Sequence, residues 1–592
     1  IGDGLAKAPT SFFGYDCFIG ANGKKGALGC YDAAGAWSGN INVGKDTELP
    51  RDLHLSATVR GNELTYLVTS ADGGTRFYGV TYTIGTSARD VYSAFGGKVG
   101  LRKFYADKGR FDNFRVTLLA EPALPNLTKA LEFGGFAFRA SAGLNLHGDA
   151  LTGSGAAMTD ATLAANFDLI CGLDAEGVSR FYFGMRENSG YLFRVDKPDN
   201  TVSLWRIESG VYTCLGERAC AVGDGARNVR IRVSDGIAAV YFEDNRADTS
   251  PYPKLELRLD GYTAGRFGVM LTGGTVSGLS VGEPAVYAGE TYTNPVVTGA
   301  DPDILYYDGT YYLYNRISAG NAVFRVSTSP DLVHWTARQT VFWHTNTAET
   351  HSYMSPNVFY HDGVFYMFYS ALNKEGKERV WYATATSPYG PFLPVNDQKP
   401  LHEIAEIGGH PYRDDDGRLY MSFVRFGGGN HVWMEEVTMR DGVVTPVAGT
   451  ATLAITPTEA YENDGYGLIS EGGVLYKHNG LYYMIYASGH YKGHYGESYA
   501  VAEHILGPYT KYAYNEILTH NAAVDGVGDG IFIPSPDGKE LFMVYHSHAA
   551  LGKVEPRQTR IDRVKFVPDE NGGPDILTVC GPTTTPQPLP SD

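Results

Sequence analysis

Tyr306-Tyr307-Asp308-Gly309-Thr310-Tyr311-Tyr312-Leu313-Tyr314 reads as two aromatic strands folded over an Asp-Gly turn, because Asp-Gly between alternating apolar runs is the strongest short-range hairpin signal. The unit returns as Tyr360-His361-Asp362-Gly363 followed by Phe365-Tyr366-Met367-Phe368-Tyr369, and again around Asp416-Gly417, Asn479-Gly480 and Asp537-Gly538. The turn glycines lie 54, 54, 63 and 58 residues apart. That interval suits one four-stranded sheet per repeat, so the spacing predicts a five-bladed β-propeller over residues 287–592.

Upstream, a different repeat is visible. Gly97-Lys98-Val99-Gly100-Leu101 followed by Phe111 to Val116 parallels Gly265-Arg266-Phe267-Gly268-Val269 followed by Val276 to Val281. The alternating strand from Leu53 to Val59 with its Gly61 turn parallels Val229 to Val233 with Gly236, and Phe12-Phe13-Gly14 parallels Tyr182-Phe183-Gly184. Two copies of one β-sandwich explain this, the first over 1–121 and the second over 122–286. Glu121-Pro122-Ala123-Leu124-Pro125 reads as the linker and Glu283-Pro284 as the exit. The first copy is shorter at its start, which predicts missing strands or completion of its sheet by another segment.

The abundance of Tyr (41), Phe (28) and Gly (73), without long 3.6-residue patterns, makes the chain all-β. Its net charge of −17, with no block of Lys or Arg, argues against nucleic acid and anionic membranes and favours a neutral partner. No apolar stretch is long enough for a membrane-spanning segment, and the opening Ile1-Gly2-Asp3 reads as the start of a processed, soluble chain. Cys17 with Cys30 and Cys214 with Cys220 could form local disulfides, but buried thiols satisfy the sequence equally well.

In a propeller the innermost strand of each blade lines the axis, so residues at one offset before each hairpin converge. Eight or nine residues before the five turn glycines stand Asp301, the pair Met354/Ser355, Gly408, Glu471 and Asp529. Three acids around one funnel could serve glycosidic bond hydrolysis, in which one carboxylic acid protonates the leaving oxygen and one carboxylate activates water. They could equally hold a cation or cap strands. The apolar neighbours Leu468-Ile469 and Val474-Leu475 would help keep Glu471 protonated.

Asn294-Pro295-Val296 through Ala300-Asp301-Pro302-Asp303-Ile304, Ser329-Pro330-Asp331-Leu332-Val333-His334-Trp335, Ser470-Glu471-Gly472 and the tail from Gly581-Pro582-Thr583 to Pro588 resemble family 43 glycoside hydrolases. The resemblance spans roughly residues 290–590. It implies a secreted, periplasmic or cell-surface enzyme that removes terminal sugars from oligo- or polysaccharides with inversion. It favours α-L-arabinofuranosyl units, with β-xylosyl or galactofuranosyl as alternatives. It makes Asp301 the general base and Glu471 the general acid, and it likens the sandwiches to concanavalin-like modules.

Two departures stand out. The family's third Asp is Gly408 here, in Ile407-Gly408-Gly409-His410-Pro411-Tyr412, and Gly528-Asp529-Gly530 stands where the family commonly has an axial His. Asp529 is therefore a candidate replacement carboxylate, with Glu406 as its rival, or else a ligand for a structural Ca²⁺ on the axis; no cofactor is required for the reaction itself. The resemblance also suggests that His410 and Arg557 reach the sugar, and Trp343 and His351 fall on loops that would rim the funnel. The Gly408 replacement leaves open a second reading, a carbohydrate-binding protein with impaired catalysis.

Overall fold

The computed structural model of the chain describes residues 124–592 apart from 243–252, 285–287, 317–322, 345–347, 396–398, 464–465 and 570. Before residue 124 it describes Thr75 and six strands. Those strands form two antiparallel meanders, Gly14–Ile19, Gly26–Tyr31 and Trp37–Val43, then Leu53–Arg60, Glu63–Ser70 and Arg76–Thr83. The repeat elements at Phe12-Phe13, 97–101 and 111–116, and the start of the linker at 121–123, lie outside the described residues.

Residues 129–282 form thirteen strands joined by continuous hydrogen bonding. The continuity comes from Ala150–Thr162 and Arg266–Gly282, which pair with each other; the first also pairs with Phe136–Ala140 and Leu144–His147, and the second with Phe167–Ala175 and Val178–Arg186. Gly273 and Gly274, at φ 94° and 100°, allow the bend that an L-residue would resist. Alternate residues point inward, so Phe167, Leu169, Cys171 and Leu173 from one strand join Phe181, Phe183 and Val229 in one core.

The propeller is present with all five blades. Its inner strands are Ala300–Tyr307, Met354–His361, Glu406–Arg413, Ser470–His478 and Gly528–Pro534. Three of the hairpins use two-residue turns with both residues at positive φ, namely Asp308-Gly309, Asp362-Gly363 and Asn479-Gly480. This is the conformation that matches strand twist and for which Asn-Gly and Asp-Gly are selected. Blades 3 and 5 instead have longer loops, between Arg413 and Leu419 and between Pro534 and Leu541. Large aromatic side chains fill the space between blades; Tyr369, Tyr353 and Phe342, for example, pack together between blades 1 and 2.

The ring closes by strand addition. Val297–Thr298, before blade 1, pairs with Gln558–Val567 of blade 5, and Thr291–Tyr292 pairs with Gln587–Pro588. Buried Asn294 locks this seam: its Nδ2 donates to the Ile561 carbonyl at 2.8 Å and to Thr583 Oγ1 at 3.0 Å, while its Oδ1 accepts from the Ile561 N–H at 3.0 Å. Asn294→Ala strands those buried groups, so we expect it to lower stability by about 1–3 kcal/mol for each one left without a partner. The check is the denaturant midpoint at an unchanged m-value.

Each N-terminal unit touches the propeller at a separate place. From the thirteen-stranded unit, Arg218 donates to the carbonyls of Thr519 and Gly581, and Leu215 accepts from the Ala522 N–H at 2.7 Å. From the meander that ends in Arg76–Thr83, Arg76 donates to Glu459 at 2.9 Å, and the Gly79 carbonyl accepts from Asn463 Nδ2 at 2.5 Å.

Candidate active site

Every inner strand carries a β-bulge, between Ala300 and Asp303, Met354 and Asn357, Ile407 and His410, Glu471 and Val474, and Gly528 and Ile531. At each bulge one residue has left-handed φ: Asp301 (50°), Ser355 (49°), Gly408 (63°), Gly472 (67°) and Asp529 (60°). These five are the equivalent positions around the axis. Glu471 occupies the slot one residue earlier, so the base and acid candidates leave their bulges from different points. Non-glycine residues in this conformation cost free energy and cluster where side chains must be aimed.

Asp301 is buried between two buried arginines. Arg316 Nε lies 3.1 Å from Oδ2, Arg557 Nη1 lies 3.1 Å from Oδ1, and the Ser355 N–H donates to Oδ2 at 3.2 Å. Burial alone would raise its pKa, but Arg316 and Arg557 hold the carboxyl well below the usual range. Arg557 can only donate, so His546 Nε2, at 3.0 Å from Arg557 Nη1, accepts. His546 Nδ1 in turn faces the backbone N–H of Asp301 at 3.4 Å and lies 4.0 Å from Asp301 Oδ1. Burial and Arg557 push His546 far below its ordinary value, which keeps it neutral.

Glu471 has the opposite setting. Burial raises its pKa and the charge of Asp301 adds to this, opposed by hydrogen bonds from Asn430 Nδ2 at 3.1 Å and Tyr495 Oη at 3.2 Å. Asp529 lies beside Gly472, where an added Cβ would come within 3.1 Å of its Oδ1. Burial, then Asp301, then Glu471, push Asp529 up to about 8. Its bulge is held by Glu497, which accepts from the Gly530 N–H at 2.6 Å.

Asp301, Asp529 and His546 each present one atom within 4.8 Å of the others, the spread of a small cation site. The fit is poor for Ca²⁺, the ion that the sequence suggests at Asp529. Ca²⁺ needs six to eight oxygen ligands, whereas Arg557 and Arg316 already flank both oxygens of Asp301 and would oppose a dication.

The remaining candidates divide. His410 stands beside the Gly408 slot; its Nδ1 faces Asn357 Nδ2 at 3.3 Å, and burial pushes it down to about 4. Arg557 reaches the cluster through Asp301. Glu406 points elsewhere, with its carboxylate 2.7 Å from His402 Nδ1 and 3.3 Å from Arg425 Nε. It is opposite Arg425 in the strand register, so cross-strand pairing takes up the charge that the sequence offers to the axis. Trp343 ends the outer strand of blade 1 with 46% exposure, and His351 is an exposed loop residue bonded to Thr350; the structure brings neither to the carboxyls.

Gly408 leaves a real opening: nothing approaches an added Cβ closer than His410 Nε2 at 3.8 Å. A cavity of about 670 Å³ lined by Val296, Thr298, His334 and Trp335 contains none of these acids, so the carboxyl cluster, and not cavity size, locates the chemistry.

Sequence reasoning missed Arg316, His546, Asn430 and Tyr495. Arg316 and His546 lie on second strands opposite Ala300 and Gly528. A signal was available: they fall seven and eight residues after their turn glycines, at the offset that returns to the bulge.

Known proteins match the same half of the chain. The family model for glycosyl hydrolases family 43 matches residues 292–571. A β-D-galactofuranosidase of Aspergillus niger is 28% identical over 294 residues, which is 46% of this chain and 82% of that protein. A putative β-xylosidase of Xylanibacter ruminicola is 26% identical over 271 residues, 45% of this chain and 47% of that protein, so the match spans about half of that relative's length. The crystal structure of a thermostable family-43 glycoside hydrolase is 34% identical, covers 51% of this chain and 100% of its own, and has a TM-score of 0.46.

Proposed function

We propose, from the premise that the chain belongs to glycoside hydrolase family 43 through residues 292–571, that it releases terminal furanosyl units from a glycan with inversion, α-L-arabinofuranosyl foremost. The observation that carries the proposed chemistry is the pair of carboxyls whose surroundings push them apart, Asp301 downward and Glu471 upward. Such a split assigns base and acid roles. Asp301, anionic throughout, orients a water and takes its proton as the glycosidic bond breaks. Glu471 gives its proton to the leaving oxygen, and Tyr495 and Asn430 fix its direction.

The preference for arabinofuranose draws on the Aspergillus relative, named for β-D-galactofuranose. α-L-Arabinofuranose has the same ring stereochemistry and differs only in a C4 side chain shorter by its terminal hydroxymethyl group, so galactofuranose is the second candidate. The Xylanibacter relative makes β-xylose the third. Nitrophenyl glycosides of the three sugars, followed by NMR of the anomer first released from the preferred one, test this. No release from any of them, or a retained anomer, refutes the reading.

In this reading Asp529 takes the place of the carboxylate missing at Gly408. It keeps its proton up to about pH 8 because burial and the charges of Asp301 and Glu471 oppose its ionisation, so it faces the pair as a neutral acid that can donate a hydrogen bond. Asp529→Asn, which keeps a donor and no charge at that place, is therefore expected to leave kcat close to wild type below about pH 8, whereas Asp529→Ala should lower it by about tenfold. Equal rates for the two variants would rule out this role.

A further inference from the structure

The strand that carries Glu471 is entered through a bridged segment that bears an exposed aromatic residue. Asn463 and Leu468 bridge its base, and the Ile469 N–H donates to the Glu462 carbonyl at 2.8 Å just before the strand begins. Between them Tyr466 is 48% exposed, and its ring stacks on His490 with centroids 4.5 Å apart and planes 14° from parallel. His490 continues to Tyr491 at 4.7 Å, and Tyr491 lies under the guanidinium of Arg557 at 5.0 Å. Arg557 in turn holds Asp301. One run of rings thus connects the proposed base to the surface.

The direction of this run is set by the acid. A proton donor sits on the side of the departing oxygen, and the bridged segment and the donor share Asn430, whose N–H donates to the Leu468 carbonyl at 2.8 Å and whose Nδ2 donates to Glu471. The segment is therefore anchored to the residue that orients the acid. A sugar ring has an apolar face of C–H groups, and an aromatic ring with an apolar body and a polar edge suits it. Burial pushes His490 down to about 4, so it presents a neutral ring and not a cation. The strand Arg76–Thr83 fixes the base of the segment through Gly79 and Asn463 and, just upstream, through Arg76 and Glu459.

We propose that Tyr466 and His490 form a subsite for the first sugar ring on the leaving-group side, a neutral pyranose or furanose unit of a glycan chain. This rests on the hydrolase reading above. The test compares kcat/KM on an oligosaccharide bearing the preferred terminal sugar with kcat/KM on the trifluoroethyl glycoside of that sugar, whose leaving group has no ring. Tyr466→Ala is expected to lower the ratio of the two roughly tenfold, and Tyr466→Phe, which keeps the ring, to hold it near the wild-type ratio. A ratio unchanged by Tyr466→Ala overturns the subsite while the hydrolase reading stands. Wild-type protein that cleaves neither substrate refutes the hydrolase reading and the subsite together.

Discussion

Asp301→Asn is expected to lower kcat by about 10²–10⁴-fold, the range attributed to a positioned general base. It should also cost stability, because the carboxylate is the shared counterion of Arg316 and Arg557. Removing one partner of a buried ion pair costs about 3–5 kcal/mol, since the remaining charge keeps its desolvation penalty. Asn keeps the shape and the tolerance for left-handed φ, so the cost reports charge and not packing. Steady-state rates on the best nitrophenyl glycoside and denaturant unfolding give the two readouts. A fall in kcat of less than about tenfold would remove Asp301 from the chemistry. A full loss of activity with unchanged stability would mean that the arginines do not depend on it.

For Glu471→Gln the expected loss depends on what departs. A sugar alkoxide needs a proton from the enzyme, so hydrolysis of an oligosaccharide should fall by about 10²–10⁴-fold. A dinitrophenolate leaves without one, and the rate on that glycoside should be largely preserved. The alkaline limb set by Glu471 should disappear from the profile of the activated substrate. Gln can accept from Asn430 through its oxygen and donate from its amide to Tyr495 Oη, whose hydroxyl can also accept, which keeps the local geometry. Equal losses on the two substrates would show that Glu471 has a role other than proton donation.

The ring was legible in the sequence because its turns have strict chemistry: Asp308-Gly309, Asp362-Gly363 and Asn479-Gly480 adopt the double positive φ that those residue pairs encode. The axial slots were legible only to within one residue. Counting back from the glycines mixes Glu471 with the slot beside it, because the hairpin loops of blades 3 and 5 are longer than two residues and the bulges insert one more. The charge balance was the least legible part. Arg316 and His546 come from second strands, and Glu406 was as plausible an axial acid as Asp529 until cross-strand pairing assigned it to Arg425 and His402. The continuous pairing of the thirteen strands over 129–282 depends on two strands longer than any turn signal marks.

A scaffold with five matching sockets, each pointing its occupant at a common centre, does not tie a functional group to one wall. The left-handed site at Gly408 is vacant and has room, while the one at Asp529 is filled by an acid. The fold can therefore shift an ionisable group from one wall to another and keep its aim, since rotation about the axis changes the address of the group but not the point it addresses.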